Sequence, residues 1–396
     1  MTTVELFFDL VYVFAITQLS HLVIDDLSIG GLAQAAFLLA VVWWAWINTT
    51  WMTNWFDPTS PTVRTVLTGV MLASLLVAAA LPLAFGANAL LFAASYVALQ
   101  VGRNAAAMTL LHPSHRLRGV FERLFLWSIV SAPLWLAGAV LDGDARLPLW
   151  GSALALDLVV PVIGYWIPGR GRAATSDYDI EGGHFAERCQ LFILIALGES
   201  IVIAGATAAD GGLTTAGVAS LVVAFLETVA LWWLYFGSPA ESSRAAVVSS
   251  ENPGRLARDA YTYAHVLIVG GIVATAAGND LLIAHPHDPQ HGVGLAIVLG
   301  GPALFLVGVN LFHWMTTGRA NPKRLLVAAL IVGLLPLAPH LSVLALAMSV
   351  TALLAALAIW ELRASARVND RVDPGAGHRP LTVFGDEQLP KTASGR

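Results

Sequence analysis

Charge is scarce in this chain. Only 12% of its 396 residues are Asp, Glu, Lys or Arg, about half the share of a soluble domain. That excludes an ordinary water-soluble globule. Lysine is nearly absent, two among 21 cationic residues, so no broad basic face exists for a nucleic acid and no such partner is expected. A single cysteine, Cys189, excludes an intrachain disulfide framework, and its apolar surroundings suit a small buried hydrophobe. No phosphate loop, dinucleotide fingerprint, nucleophile elbow or HExxH motif occurs. "GES" at 198–200 lies mid-helix with no strand before it. Neither enzymatic chemistry nor a resident cofactor is therefore expected. His285, His287 and His291 in "HPHDPQH" match no tight metal spacing. They read as a solvated turn, with no metal.

What the chain has instead is long apolar blocks, 57% apolar residues overall. A block of about 20 crosses a bilayer as a helix. The blocks lie near 4–24, 31–56, 64–84, 87–111, 119–140, 148–168, 184–208, 213–237, 258–283, 292–317, 323–340 and 341–362. They predict an all-α integral membrane protein of about twelve transmembrane helices. Pro336 and Pro339 cut the eleventh short. The first block is read as a retained helix rather than a signal peptide, because it lacks a basic leader and opens with acids. Residues 363–396 are polar and rich in Gly, Pro and Arg, the composition of a disordered tail.

Arginine placement sets the expected orientation. The even-numbered connections hold Arg116, Arg118, Arg170, Arg172, Arg244, Arg255, Arg319 and Lys323. The odd-numbered ones carry Asp25, Asp26, Asp142, Asp144, Asp210, Asp280 and Asp288, with Arg146 as their one cation. Positive charge stays inside, so both termini are expected in the cytoplasm, at the inner (plasma) membrane.

The two halves resemble each other. "VVWWAW" at 41–46 matches "ALWWLY" at 230–235; Arg64 and Thr68 match Arg258 and Thr262; "VGRN" at 101–104 matches "VGVN" at 307–310. Gln18 aligns with Glu199. The expected organisation is two parallel six-helix repeats, 1–180 and 181–362, a layout that transporters use to place a site between the halves near the midplane.

Polar residues inside apolar blocks then become the candidates. At 100° per residue, Glu5, Asp9, Tyr12 and Ser20 share one face of the first helix. Helix-dipole capping suffices for Glu5. Asp9, more than a turn deeper, needs a partner, a proton or a vestibule. In "HFAERCQLFILIALGES" at 184–200, His184, Arg188 and Glu199 share a face, with Glu187 and Gly198 at its edge. Glu199 lies too deep to be a cap, so a functional role is its default reading. Arg103, Asp157 and Glu227 are further intramembrane charges. Arg103 is the expected counter-charge for Asp9 or Glu199, while Glu227 has Leu38 as its counterpart in the first half. The Trp pairs at 43–44 and 232–233 suit interfacial anchoring. Gly270, Gly271, Gly300 and Gly301 beside Pro302 suit close helix packing more readily than helix interruption.

The segments "ELFFDLVYVFAITQLSHLV" and "HFAERCQLFILIALGESIVIAG" resemble the bacterial low temperature requirement A family, known as LtrA, with the likeness running from about residue 4 to about residue 360. The residues that carry it are Glu5, Phe7, Phe8, Asp9 and Phe14 in the first motif. In the second they are His184, Glu187, Arg188, Gly198, Glu199 and Ser200. The resemblance implies a multi-pass membrane protein of a family named for growth in the cold, and it implies no substrate. The resulting expectation is a transporter or channel for a small ion or solute, with Asp9, Glu199, Arg103, Glu227 and Asp157 along the pathway. Burial favours the neutral form of a carboxyl group, so proton coupling is part of that expectation. The alternative is a non-transporting scaffold or sensor whose polar residues lock helices together.

Overall fold

A computed structural model describes residues 1–141, 143–173 and 180–372. Asp142 and the tail from 373 onward lie outside the described residues. Apart from one isolated bridge between Ile167 and Gly171, the regular structure described is helical. The helices are α1 Thr3–Asp25, α2 Ile29–Trp55, α3 Pro61–Ala80, α4 Ala89–Leu110, α5 Arg116–Val140, α6 Arg146–Val159 and α7 Gly182–Asp210. They continue as α8 Thr215–Phe236, α9 Ser238–Val248, α10 Pro253–Leu256, α11 His265–Ala284, α12 Gly292–Thr317, α13 Pro322–Val332 and α14 Val343–Val372. An eight-residue π-helix, Ala257–Ala264, joins α10 to α11.

Local chemistry starts these helices where the sequence supplies it. Ser28 Oγ and Thr214 Oγ1 accept from the backbone of Gly31 and Gly217, at 3.0 and 3.1 Å, and Asn252 and Asn321 cap α10 and α13 likewise. Such caps satisfy amides that have no partner inside the helix. Arginines close other helix ends. Arg118 donates to Met108 O and Leu111 O at the C-terminus of α4. Arg146 donates to Gly138 O, Ala139 O and Phe85 O. Arg146 is thus buried against carbonyls rather than displayed at the surface.

Nine stretches among the described residues are long and apolar enough to cross a membrane: Thr3–Asp25, Ile29–Trp55, Pro61–Leu83, Arg116–Val140, Gly182–Asp210, Thr215–Val248, Pro253–Ala284, Gly292–Thr317 and Val343–Ala364. This chain is a multi-pass membrane protein. Three of the twelve expected spans fall short for identifiable reasons. Gln100, Arg103 and Asn104 lower the hydropathy of the 22-residue α4. Helix α6 has 14 residues and gives way to turns at Val160–Gly164, around Pro161. Helix α13 has 11, ending before turns that contain Pro336 and a 3-10 helix, Ala338–His340, that contains Pro339. Helix α14 runs through Val372, so the first ten residues of the expected tail extend the last helix.

Helices α11 and α12 form the most enclosed pair. In their apolar windows 72% and 67% of residues are buried, against 28–50% in the other spans. Glycine permits that closeness. A Cβ on Gly271 would meet Phe305 N at 2.5 Å, and one on Gly301 would meet Thr275 N at 2.6 Å. The glycines therefore serve packing, and both helices run on through Gly271 and Pro302. Around this pair, α7 packs on α8 and α11, while α1 packs on α2, α3, α7 and α11. The outer faces carry exposed apolar side chains such as Phe7, Leu10, Val202 and Trp314, as lipid-facing surfaces do.

Candidate functional site

Two polar groupings lie within the apolar body. The first straddles the contact between α1 and α7. Glu5, Asp9, Tyr12 and Ser20 are all buried on one face of α1, as the helical spacing predicts. Glu5 does cap its helix, its Oε2 accepting from Thr2 N at 2.9 Å. It also lies 3.1 Å from His184 Nε2, across the interface. Asp9 Oδ1 accepts from Arg188 Nη2 at 2.9 Å and from Trp46 Nε1 at 2.8 Å. Arg188 Nη1 stands 3.9 Å from Glu5 Oε1. The guanidinium is fully enclosed between the rings of Phe8 and Trp46, 5.7 and 5.8 Å from their centroids. Two carboxylates thus face one arginine and one histidine. Glu187 points away, its side chain about half exposed.

The expected partner of Asp9 was Arg103, and the structure corrects this. Arg188, one of the motif residues, takes that role. Arg103 lies instead on α4, where it donates to Ala45 O and Thr49 Oγ1, both at 3.3 Å, and to Gln100 Oε1. Nor does it reach Glu199. That side chain is buried in α7, with Thr17 and His21 of α1 beside it and Oε1 without a hydrogen-bond partner. Glu199 and Arg188 are eleven residues apart on one helix, about 16 Å along its axis. Glu227 is buried in α8 beside Asn279 of α11. Ser200 turns back onto Ala196 O. Gly198 is not required by packing, since a Cβ there would meet nothing within 4 Å. Asp9 and Glu199 at the α1–α7 contact, Glu227 on α8 and Arg103 on α4 therefore do not form one line.

The second grouping is a cavity between α2, α4, α5, the end of α6 and the π-helix. It comprises two adjoining chambers of about 40 and 30 Å³ that share Trp44, Asn48, Asn104, Leu124 and Tyr165. Aromatic side chains dominate the larger chamber, with Trp51, Trp55 and Phe121 on its wall and Arg258 and Thr262 contributed by the π-helix. Arg103 and Asp157 line the smaller one. They are linked by a relay rather than by direct contact. Arg103 donates to Gln100 Oε1, Gln100 Nε2 donates to Tyr96 OH at 2.9 Å, and Tyr96 donates to Asp157 Oδ2 at 3.0 Å. Trp135 Nε1 adds a second donor to Asp157 at 3.3 Å. Sequence patterning identifies both charges but not the cavity that joins them.

The π-helix shapes one side of this cavity and has no signature in the sequence. Its widened turns leave carbonyls turned outward, a feature frequent at functional sites. Thr262 O accepts from Trp43 Nε1 at 2.7 Å, and Thr262 Oγ1 from Trp51 Nε1 at 3.2 Å. Trp43, held there, and its neighbour Trp44 are buried and do not anchor at an interface, whereas Trp232 and Trp233 are 40% and 39% exposed. His265, just beyond the π-helix, is a satisfied core histidine bonded to Tyr235 OH at 2.8 Å. Among the described residues no cluster of His, Cys, Asp or Glu is suited to a metal ion. His285 and His287 are exposed in their loop.

The family profile described as "Bacterial low temperature requirement A protein (LtrA)" matches residues 1–359. The chain belongs to this family. The charged α1–α7 contact, Glu5 and Asp9 against His184 and Arg188, lies within the matched residues. The LtrA chain is also 35% identical over 362 residues to an uncharacterized protein of Rhizobium meliloti (strain 1021), RA0937, covering 90% of this chain and 88% of that one. No solved structure matches it.

Proposed function

We propose that this LtrA protein moves a small ion or solute across the membrane, and that the aromatic cavity above Arg103 and Asp157 is where the cargo enters. The observation that carries this reading is a partly open cavity, inside the apolar body, lined by two opposite charges that no salt bridge joins. Charged residues buried within an apolar membrane body are expensive and ordinarily mark a pathway when they face a cavity. The cavity gathers the C-terminal halves of α2 and α4 and the N-terminal half of α5. By the arginine distribution, these ends belong to the cytoplasmic side.

The same reading includes two six-helix repeats. Its support is the order of packing: α1 on α3 and α3 on α4 in the first half, α7 on α11 and α11 on α12 in the second. Asn104 bonds to Ser128 of the helix that follows it, and Asn310 to the backbone of Asn321 likewise. On this plan the α1–α7 contact is the joint between the halves. The buried Asp9–Arg188 pair holds that joint, and Glu199 lies deeper along it.

A specific observation favours a second reading, a scaffold or sensor that moves nothing. The Asp9–Arg188–Glu5 cluster is sealed, with relative exposures of 0–2%. The test is flux into proteoliposomes over a panel of inorganic ions and small solutes, with and without a pH gradient, for the unaltered chain, Asp157→Asn and Glu199→Gln. Transport predicts flux above empty liposomes, reduced at least tenfold by Asp157→Asn. Proton coupling predicts that Glu199→Gln removes the response to the gradient. No flux of any probe by folded protein would overturn the transport reading and leave the scaffold.

A further inference from the structure

The outer faces of α8 and α14 leave a furrow between them. It is an apolar groove of about 510 Å³, lined from Val223 to Trp233 on α8 and from Met348 to Leu362 on α14. Small side chains keep it open, because Ala352 and Ala355 stand beside the larger Leu226, Trp233 and Ile359. From Met348 to Leu362 is about 21 Å along the helix axis. One leaflet's half of the hydrocarbon core is about 15 Å deep, so the groove can take an acyl chain lengthwise. One end of it is cationic. Arg363 lies one turn beyond Ile359 and about 40° around the helix from it, at the edge of the groove. It is exposed and makes no hydrogen bond or ion pair among the described residues. Lys323 reaches the same turn of α14, its Nζ 4.5 Å from the Trp360 ring centroid. The acid of that turn, Glu361, is already held by Arg324 at 2.8 and 2.7 Å. Two cations at the end of an apolar groove therefore lack an anion from the protein.

We infer that this groove binds an anionic phospholipid, one acyl chain lying between α8 and α14 and the phosphate at Arg363 with Lys323 beside it. The inference is independent of whether the protein transports anything. A guanidinium suits a phosphate because two N–H groups can donate to it in parallel. Trp233, 39% exposed at the same end of the groove, is the residue type that settles at headgroup level. A basic residue near an anionic lipid surface is worth about fivefold in binding. A headgroup that carries its own ammonium gives up much of that gain. A second copy of the chain fits less well. A two-fold contact sets the same patch against itself, which would bring Arg363 towards its own counterpart. Size alone does not make the choice either. A groove of about 480 Å³ between α1 and α7 has Asp9 on its wall instead of a free cation, and it offers an anion nothing.

The test is native mass spectrometry of the full chain, released from detergent after titration with dioleoyl phosphatidylglycerol or dioleoyl phosphatidylcholine. The two lipids share their chains and differ in headgroup charge. The expected result is phosphatidylglycerol retained at least about tenfold more tightly by the unaltered chain. Arg363→Gln is expected to lower that preference about fivefold and to leave phosphatidylcholine binding unchanged. Ala352→Phe fills the groove and is expected to weaken retention of both lipids. Ala352 and Arg363 are exposed, so neither substitution disturbs the packed interior. Equal retention of the two lipids by the unaltered chain overturns the proposal, and that comparison needs no variant. A preference for phosphatidylglycerol that survives both substitutions places the lipid elsewhere and overturns it too. So does a dimer of the lipid-free chain that Ala352→Phe converts to monomer, since a second copy would then own the groove.

Discussion

Replacing Arg188 by Met isolates the energetics of the α1–α7 contact. The side chain is fully enclosed, donates to Asp9 at 2.9 Å and stands 3.9 Å from Glu5. Methionine keeps much of the bulk and removes the charge, so two buried carboxylates lose their cation. Breaking a buried pair from one side costs about 3–5 kcal/mol, because the remaining charge is left uncompensated. Lost contacts with the Phe8 and Trp46 rings add about 0.5–2 kcal/mol. Asp9→Asn alone keeps an acceptor for Trp46 Nε1 and leaves Arg188 with Glu5, so it is the milder change. In the double variant the Asp9 charge is no longer there to be stranded. The double variant is therefore expected to lose about 2–4 kcal/mol less than the sum of the two single losses. The assay is reversible unfolding in mixed micelles titrated with dodecyl sulfate, followed by tryptophan fluorescence. Additivity within about 0.5 kcal/mol would refute the reasoning, since it would mean the two side chains do not sense each other.

Four further outcomes follow from the same packing. Gly271→Leu pushes a side chain into the Phe305 backbone and is expected to cost at least about 1–3 kcal/mol in that titration. Gly198→Ala meets nothing within 4 Å and should leave stability unchanged or slightly raised, so any change in flux there reports on function rather than packing. Arg324 holds Glu361 through two bonds of 2.8 and 2.7 Å, and Arg324→Gln should lower stability by about 2–4 kcal/mol. Cys189 is fully buried and should react with N-ethylmaleimide roughly a hundredfold more slowly in the folded protein than after dodecyl sulfate unfolding, read by mass spectrometry.

The face of α1 was legible because helical geometry is local: Glu5, Asp9, Tyr12 and Ser20 recur at spacings that turn them together. The glycine contacts of α11 and α12 were legible for a similar reason, since small residues in apolar runs have few other uses. The partner of Asp9 was not. Arg103 and Arg188 are equally cationic, and which one reaches Asp9 depends on which helix lies against α1, a tertiary fact that spacing does not encode. The cavity was hidden likewise, being assembled from several helices by packing. Counting spans from apolar runs exceeds the nine long apolar helices among the described residues at α6 and α13 because a run includes the turns that a helix does not, and at α4 because Gln100, Arg103 and Asn104 dilute an otherwise full-length helix. Trp43 was misread as interfacial because its destination, the carbonyl of Thr262, is 219 residues away in the chain, and Trp44 because the cavity it lines is assembled by packing.

The π-helix at Ala257–Ala264 has a consequence for chain length. Every residue in such a stretch is one that a tighter coil would have to absorb, and removing one would let the segment relax into ordinary α geometry. Everything N-terminal to the deletion would then swivel by about 100° and advance by about 1.5 Å relative to α11. Arg258 would leave the carbonyl of Pro161, which it now contacts at 3.4 Å. A deletion just after Thr262 would also swing that residue away from both indoles that hold it. This short stretch is a fixed-length spacer, more tolerant of a changed side chain than of a lost residue.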